Sequence, residues 1–182
     1  MSRNLLAFSL LVIAITVIGV SFLNLQPTEA VELPNEQTAF VRSLRLTRAA
    51  TSFLGKNNSA ATYQFTIEVP EDAGEALKSI KIVQRNGSKK VVFQDNKSRA
   101  SEGNSLSSAS IPLAAVRGDS KPGEVTLVFD TPVEPGKTVT IAVKPKRNPS
   151  IGGVYLFGIT AYPTGDNSPG LYLGSGRIHI NQ

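Results

Sequence analysis

From residue 62 onward the chain is dominated by alternating apolar and polar positions. In TYQFTIEV (62–69), Tyr63, Phe65, Ile67 and Val69 alternate with Thr62, Gln64, Thr66 and Glu68, the two-residue period of a half-buried β-strand. EVTLVFD places Val125, Leu127 and Phe129 on one face, and KTVTIAVK does the same with Val139, Ile141 and Val143. Turns punctuate these runs at Pro70, Lys121-Pro122-Gly123 and Glu134-Pro135-Gly136, where proline presets φ and glycine permits the positive φ that follows. VYLFGITAY (154–162) is apolar on both faces, which predicts a central strand. In LYLGSGRIHI the apolar residues shift from odd numbers (Leu171, Leu173) to even ones (Ile178, Ile180), which predicts a β-bulge around Gly174-Ser175-Gly176. Pairing of the last two strands across the 163–170 loop then sets Phe157 near Gly176 and Ile159 near Gly174, with large side chains covering the glycine gaps.

The remaining segments are less regular. SIKIVQRNGSKKVVF (79–93) contains Asn86-Gly87, which predicts a two-residue hairpin pairing Ile82 with Val91 and Ile80 with Phe93. FVRSLRLT (40–47) predicts a first strand, EDAGEAL a short helical turn, NKSRASEGNSLSS (96–108) a long surface loop, and Ala109–Val116 a short strand. About seven to nine short strands, without a long amphipathic helix, predict an all-β protein. The expected architecture is a single antiparallel β-sandwich, immunoglobulin-like, preceded by an N-terminal hydrophobic signal or anchor helix.

That N-terminal segment changes the picture most. Arg3 precedes an uncharged, apolar run from Leu5 to Leu25; Pro27 then breaks any helix, and Thr28 and Ala30 supply small residues for a cut after Ala30. This is the layout of an export signal. The run would also reach roughly 31 Å as a helix, enough to cross a bilayer, so a retained anchor is the alternative. The expected organisation is residues 1–30 as signal or anchor, 31–61 as lead-in with a first strand, and 62–182 as the sandwich. Expected locations are periplasm, cell surface or thylakoid lumen, with membrane contact only through residues 5–25 if they are retained.

Composition mainly excludes. There is no cysteine, hence no disulfide, thiolate metal site or thiol nucleophile. The net charge of +5 is scattered among acids rather than gathered in a tail, and nothing resembles a nucleic-acid recognition motif. His179, the single histidine, is flanked by Ile178 and Ile180 and so points outward, while Ser175 in LGSGR lacks a nucleophile elbow. Glu71, Asp72 and Glu75, or Asp130 with Glu134, are the carboxylates available for acid–base chemistry, but they fall on turns. Asp166-Asn167 lacks the spaced ladder of a calcium loop. No catalytic, cofactor or metal residue is assigned, and a non-enzymatic protein is expected. Two surfaces remain: a cationic contact surface of Lys81, Arg85, Lys146 and Arg147, and a glycan-facing loop in which Tyr162 and Tyr172 flank Asp166 and Asn167.

KPKRNPSIGGVYLFG (144–158) draws these threads together. Pro145 and Pro149 withhold N–H donors and Gly152-Gly153 allows a sharp turn, so the stretch reads as a rigid corner between two core strands, leaving Lys146-Arg147 as a contact candidate. Together with TYQFTIEVPEDAGEALKSIKI (62–82), VFDTPVEPGKTVTIAVKPKRNPSIGGVYLFGITAYPTG (128–165) and LGSGRIHI (173–180), it resembles the exported cyanobacterial proteins of domain-of-unknown-function family 2808. The resemblance implies an exported, envelope-associated protein and supplies no activity. A binding, scaffolding or structural role in the envelope is therefore expected, with anionic polysaccharide, lipid headgroups or an envelope protein as partner. A carboxylate-dependent hydrolase and an adhesive subunit acting by sheet-edge pairing are the alternatives.

Overall fold

The computed structural model describes residues 38–118 and 121–182. The apolar run 5–25, the cut after Ala30 and most of the lead-in lie outside the described residues. Ten strands form: β1 (Arg45–Thr51), β2 (Tyr63–Glu68), β3 (Leu77–Asn86), β4 (Phe93–Glu102), β5 (Ser110–Ile111), β6 (Leu113–Arg117), β7 (Glu124–Val133), β8 (Thr138–Pro145), β9 (Gly153–Pro163) and β10 (Leu171–Ile180). They make two five-stranded antiparallel sheets, ordered β1-β2-β8-β4-β5 and β10-β9-β3-β7-β6. The all-β antiparallel sandwich expected from the pattern is the fold observed. Among the described residues no helix is long and apolar enough to cross a membrane. Residues 71–76 form turns rather than a helical turn.

The inward faces are those the alternation marks. Tyr63, Phe65, Ile67, Val125, Leu127, Phe129, Val139, Ile141 and Val143 are all fully buried, so both sheets present aromatic and β-branched side chains to one core. Phe157 on β9 bridges the sheets, its ring 5.5, 6.1 and 6.0 Å from those of Tyr63, Phe65 and Phe93. β9 is an interior strand between β10 and β3, as its two apolar faces require. The bulge is present: Tyr172 pairs with Thr160 and Gly174 with Ile159, leaving Leu173 as the additional residue. Gly176 does lie opposite Phe157. Its gap, however, is filled from the facing sheet, where a Cβ would meet Ala49 Cβ at 2.7 Å and Phe65 Cε1 at 2.9 Å. The glycine thus permits β10 to approach β1. On the opposite margin the chain passes directly from β5 to β6 through Pro112, and β10 carries the bulge, so sheet-edge pairing gains no support.

The expected 79–93 hairpin does not form. β3 is hydrogen-bonded on both sides, to β7 and β9, and β4 belongs to the other sheet. Ile80, Ile82, Val91 and Phe93 are all buried, but they meet across the core rather than side by side. The polar tract assigned to a loop also differs: β4 extends to Glu102 and pairs with β8, with a register shift between Gln94 and Arg99. Residues 95–98 bulge there, which breaks the alternation that would have marked a strand. β1 lies along β2 in the sandwich, inside the segment taken as lead-in with a first strand.

Candidate anion-binding site

β8 ends at Pro145, and the chain turns through residues 146–152 before β9. Asn148 sits wholly buried at this corner. Its Oδ1 accepts a hydrogen bond from the Tyr63 hydroxyl at 3.0 Å, and its Nδ2 donates to the Phe53 and Gly55 carbonyls at 2.9 and 2.8 Å. Its backbone N–H donates to the Asn58 carbonyl at 2.9 Å. One amide thereby pins the 146–150 corner, the 52–58 loop and a core tyrosine together.

A second buried amide shapes the facing wall. Gln84 Oε1 accepts from the Val91 N–H at 2.9 Å, and its Nε2 donates to the Lys89 carbonyl at 2.8 Å. Gly87, at φ 130°, lies against the Tyr155 ring, where a side chain would not fit. The Lys146 N–H donates to the Val92 carbonyl at 2.8 Å and closes the two walls at their base. Between them opens a cleft of ≈ 380 Å³ lined, among the described residues, by the cations Lys89, Lys90, Lys146 and Arg147, with Asn57 and Ser150 beside them. All four cations are exposed while the backbone beneath is tied down, which holds positive charge together on one surface. Lys144, just outside, has its ammonium pushed below the usual lysine range by burial and then by neighbouring Lys97.

Burial, and next the neighbouring Tyr155, push the Tyr63 hydroxyl well above the ordinary tyrosine range, so it stays protonated and donates to Asn148. The folded form thus resists ionisation more than the unfolded chain, whose tyrosines titrate near about pH 10. The resulting stability is complete below that pH and is lost as pH rises through the folded value. Urea unfolding midpoints measured across the alkaline range should fall more steeply for the native chain than for Tyr63→Phe. Parallel slopes would show that Tyr63 is not the group responsible.

The structure divides the cationic surface expected from sequence. Lys146 and Arg147 line the cleft, whereas Lys81 and Arg85 lie on the outer face of the β10-β9-β3-β7-β6 sheet. Lys81 Nζ pairs with Glu124 Oε1 at 2.7 Å, and together with Lys121 it draws the Glu124 carboxyl below the usual carboxylate range. The Arg85 guanidinium carbon stands 5.8 Å from the centre of the Tyr172 ring. The glycan-facing set divides too. Tyr172 is exposed on β10 with its hydroxyl 2.8 Å from Ser175 Oγ, and Tyr162 is half-buried against Gly170. Asp166 and Asn167 are exposed in the 164–170 loop at the other end of β9. Thr38 is held in that same loop through its hydroxyl, which donates to the Thr164 carbonyl.

The carboxylates considered for acid–base chemistry lie toward the end opposite the cleft. Glu68, Glu71 and Asp72 line one depression there, but Glu68 pairs with Arg45 at 2.8 Å and Asp72 with Arg42 at 3.2 Å. Glu75 accepts from the Thr164 hydroxyl at 2.6 Å. Glu134 lines a different depression, beside the Glu102–Lys137 pair, and Asp130 lines neither. Among the described residues no group of three or more His, Asp or Glu could hold a metal ion. The sequence reading missed Lys89, Lys90 and the two buried amides. The hairpin pattern places Lys89-Lys90 in a strand, although two adjacent lysines in a turn-linked segment are the visible signal.

Fold and cleft together define a two-sheet antiparallel β-sandwich with cations gathered at one end. Residues 37–180 match the family described as Protein of unknown function (DUF2808), and the chain belongs to that family. No curated protein matches it. Among solved structures, the N-terminal domain of the Streptococcus gordonii adhesin Sgo0707 is similar at 15% identity and TM-score 0.45, covering 75% of this chain and 31% of that one. The C-terminal domain of the Streptococcus pyogenes antigen I/II-family protein AspA gives 17% identity and TM-score 0.41, covering 73% and 42%. ACE19, the collagen binding subdomain of the Enterococcus faecalis surface protein ACE, gives 12% and 0.40, covering 78% and 99%. The chain thus spans less than half the length of the first two. Likenesses this distant carry no activity or ligand across.

Proposed function

We propose that the protein is a non-enzymatic binding module of the cell envelope that holds a polyanion at the cationic end of its sandwich. The observation that carries this reading is the cleft itself, with four exposed cations gathered on walls fixed by Gln84 and Asn148. Export rests on the N-terminal sequence: the apolar run after Arg3 and the small residues at Thr28 and Ala30. A hydrolase is less well supported, since Glu68, Asp72 and Glu75 are engaged by Arg45, Arg42 and Thr164.

The test separates local charge from net charge. Neutralising the cleft with Lys89→Gln, Lys90→Gln, Lys146→Gln and Arg147→Gln should weaken binding of the full chain to long-chain polyphosphate by about a hundredfold. A charge-matched control, Arg42→Gln, Arg45→Gln, Arg48→Gln and Lys137→Gln, should change it by less than about threefold. Native affinity should fall steeply with added salt. Equal losses in both variants would reduce the effect to overall charge and remove the cleft from consideration.

A further inference from the structure

Among the described residues, six large apolar side chains stand exposed, and four of them crowd the cationic end: Phe53 (46% exposed), Leu54 (46%), Ile151 (43%) and Val154 (41%). They are brought together by contacts already named or close to them. Asn148 binds the Phe53 carbonyl from the corner that also carries Ile151. The Asn181 N–H donates to the Leu54 carbonyl at 2.8 Å, and the Asn181 carbonyl lies against Gly152, next to Ile151. Val154 pairs with His179 on the adjoining strand. Lys56 stands exposed in the same loop as Phe53 and Leu54.

Single exposed apolar residues are ordinary, but a cluster on ordered loops marks a surface that meets something apolar. A soluble polyanion offers nothing to Phe53, Leu54 or Ile151. A bilayer of acidic lipid offers both partners, phosphates for the cations and the acyl boundary for the apolar tips. We propose that the cationic end of the sandwich seats on an anionic membrane surface, with Phe53, Leu54 and Ile151 entering the headgroup boundary and the cleft cations meeting lipid phosphates. This rests on the cleft being the anion site, and it names the lipid surface as the partner of that site.

The geometry also gives a direction. Thr38 is held to Thr164 and Ser168 at the far end of β9, an eleven-residue strand that separates it from the tip by about 35 Å. The tip therefore faces away from the end at which the chain enters the domain.

The experiment uses the full chain with its N-terminal apolar run housed in nanodiscs of neutral lipid, so that only the domain can recruit further membrane. Loaded discs should co-float with vesicles containing acidic phospholipid and not with neutral vesicles. Phe53→Ser with Leu54→Ser should lower co-flotation at least about tenfold and leave polyphosphate binding unchanged. Co-flotation of that double variant at the native level overturns the proposal. So does a native chain that binds polyphosphate but ignores acidic vesicles, which leaves the cleft standing with a soluble polymer as its partner. Failure to bind either one removes the cleft reading as well. If the double variant loses polyphosphate too, Ile151→Ser on the other loop decides: selective loss of vesicle binding supports the membrane seat, and no loss overturns it.

Discussion

Replacing Asn148 with alanine should lower unfolding free energy by about 3 kcal/mol, a large fraction of what a domain of this size possesses. Asn148 is fully buried, and truncation leaves the Tyr63 hydroxyl and the Phe53 and Gly55 carbonyls without their partner. The Tyr63 hydroxyl lies inside the core, where water does not replace the amide, and the two carbonyls are half-buried, so the penalty is mainly that of an unsatisfied polar atom added to the lost loop contacts. Asn148→Asp distinguishes this account from a simple volume effect. It is nearly isosteric and keeps the acceptor for Tyr63, yet it turns an oxygen toward the two carbonyls and should cost at least as much as alanine. Denaturant unfolding supplies the free energies, and tryptic cleavage after Lys56 in the released loop reports the local effect. A loss below about 1 kcal/mol for alanine, or a well-tolerated aspartate, would mean that the loop is held by other means.

The dependence on Asn148 shows where the sequence is readable and where it is not. Strict alternation marks Tyr63, Phe65 and Ile67 or Val139, Ile141 and Val143 because a side chain's face in a strand follows from its number alone. The parity change from Leu173 to Ile178 likewise encodes the bulge, down to Gly176 facing Phe157. Which strand lies beside which is a non-local matter. Asn86-Gly87 carries a strong local hairpin signal, but β3 satisfies both of its edges with β7 and β9, and the chain crosses to the other sheet instead. The buried Gln84 amide makes that crossing tolerable by bonding the Val91 N–H and the Lys89 carbonyl. A glutamine in an alternating strand shows no sign of this role. The cleft was half legible for the same reason: Lys146-Arg147 announces itself beside two prolines, whereas Lys89-Lys90 joins it only through a crossing that the local pattern argues against.

Phe157→Ala should be comparably damaging, at about 4 kcal/mol, and its effect should reach the cleft. The ring is fully buried on β9 and touches Tyr63 and Phe65 of β2 and Phe93 of β4, so its removal opens a cavity between the sheets as well as losing three aromatic contacts. Tyr63 is the link outward: its ring packs on Phe157 while its hydroxyl donates to Asn148. A cavity beside that ring frees the hydroxyl to move, so part of what Asn148→Ala destroys is already lost. The double variant Phe157→Ala with Asn148→Ala should therefore be less destabilised than the sum of the singles, by about 1 kcal/mol. Phe129→Ala makes the control, because β7 carries Phe129 beside Leu113 at the other end of the sandwich. Its cost should add to that of Asn148→Ala within about 0.5 kcal/mol. Additivity in both pairs would show that the core aromatics and the cleft corner are independent. Coupling confined to Phe157 would establish that the cationic loops are held in place from the centre of the core, through one tyrosine.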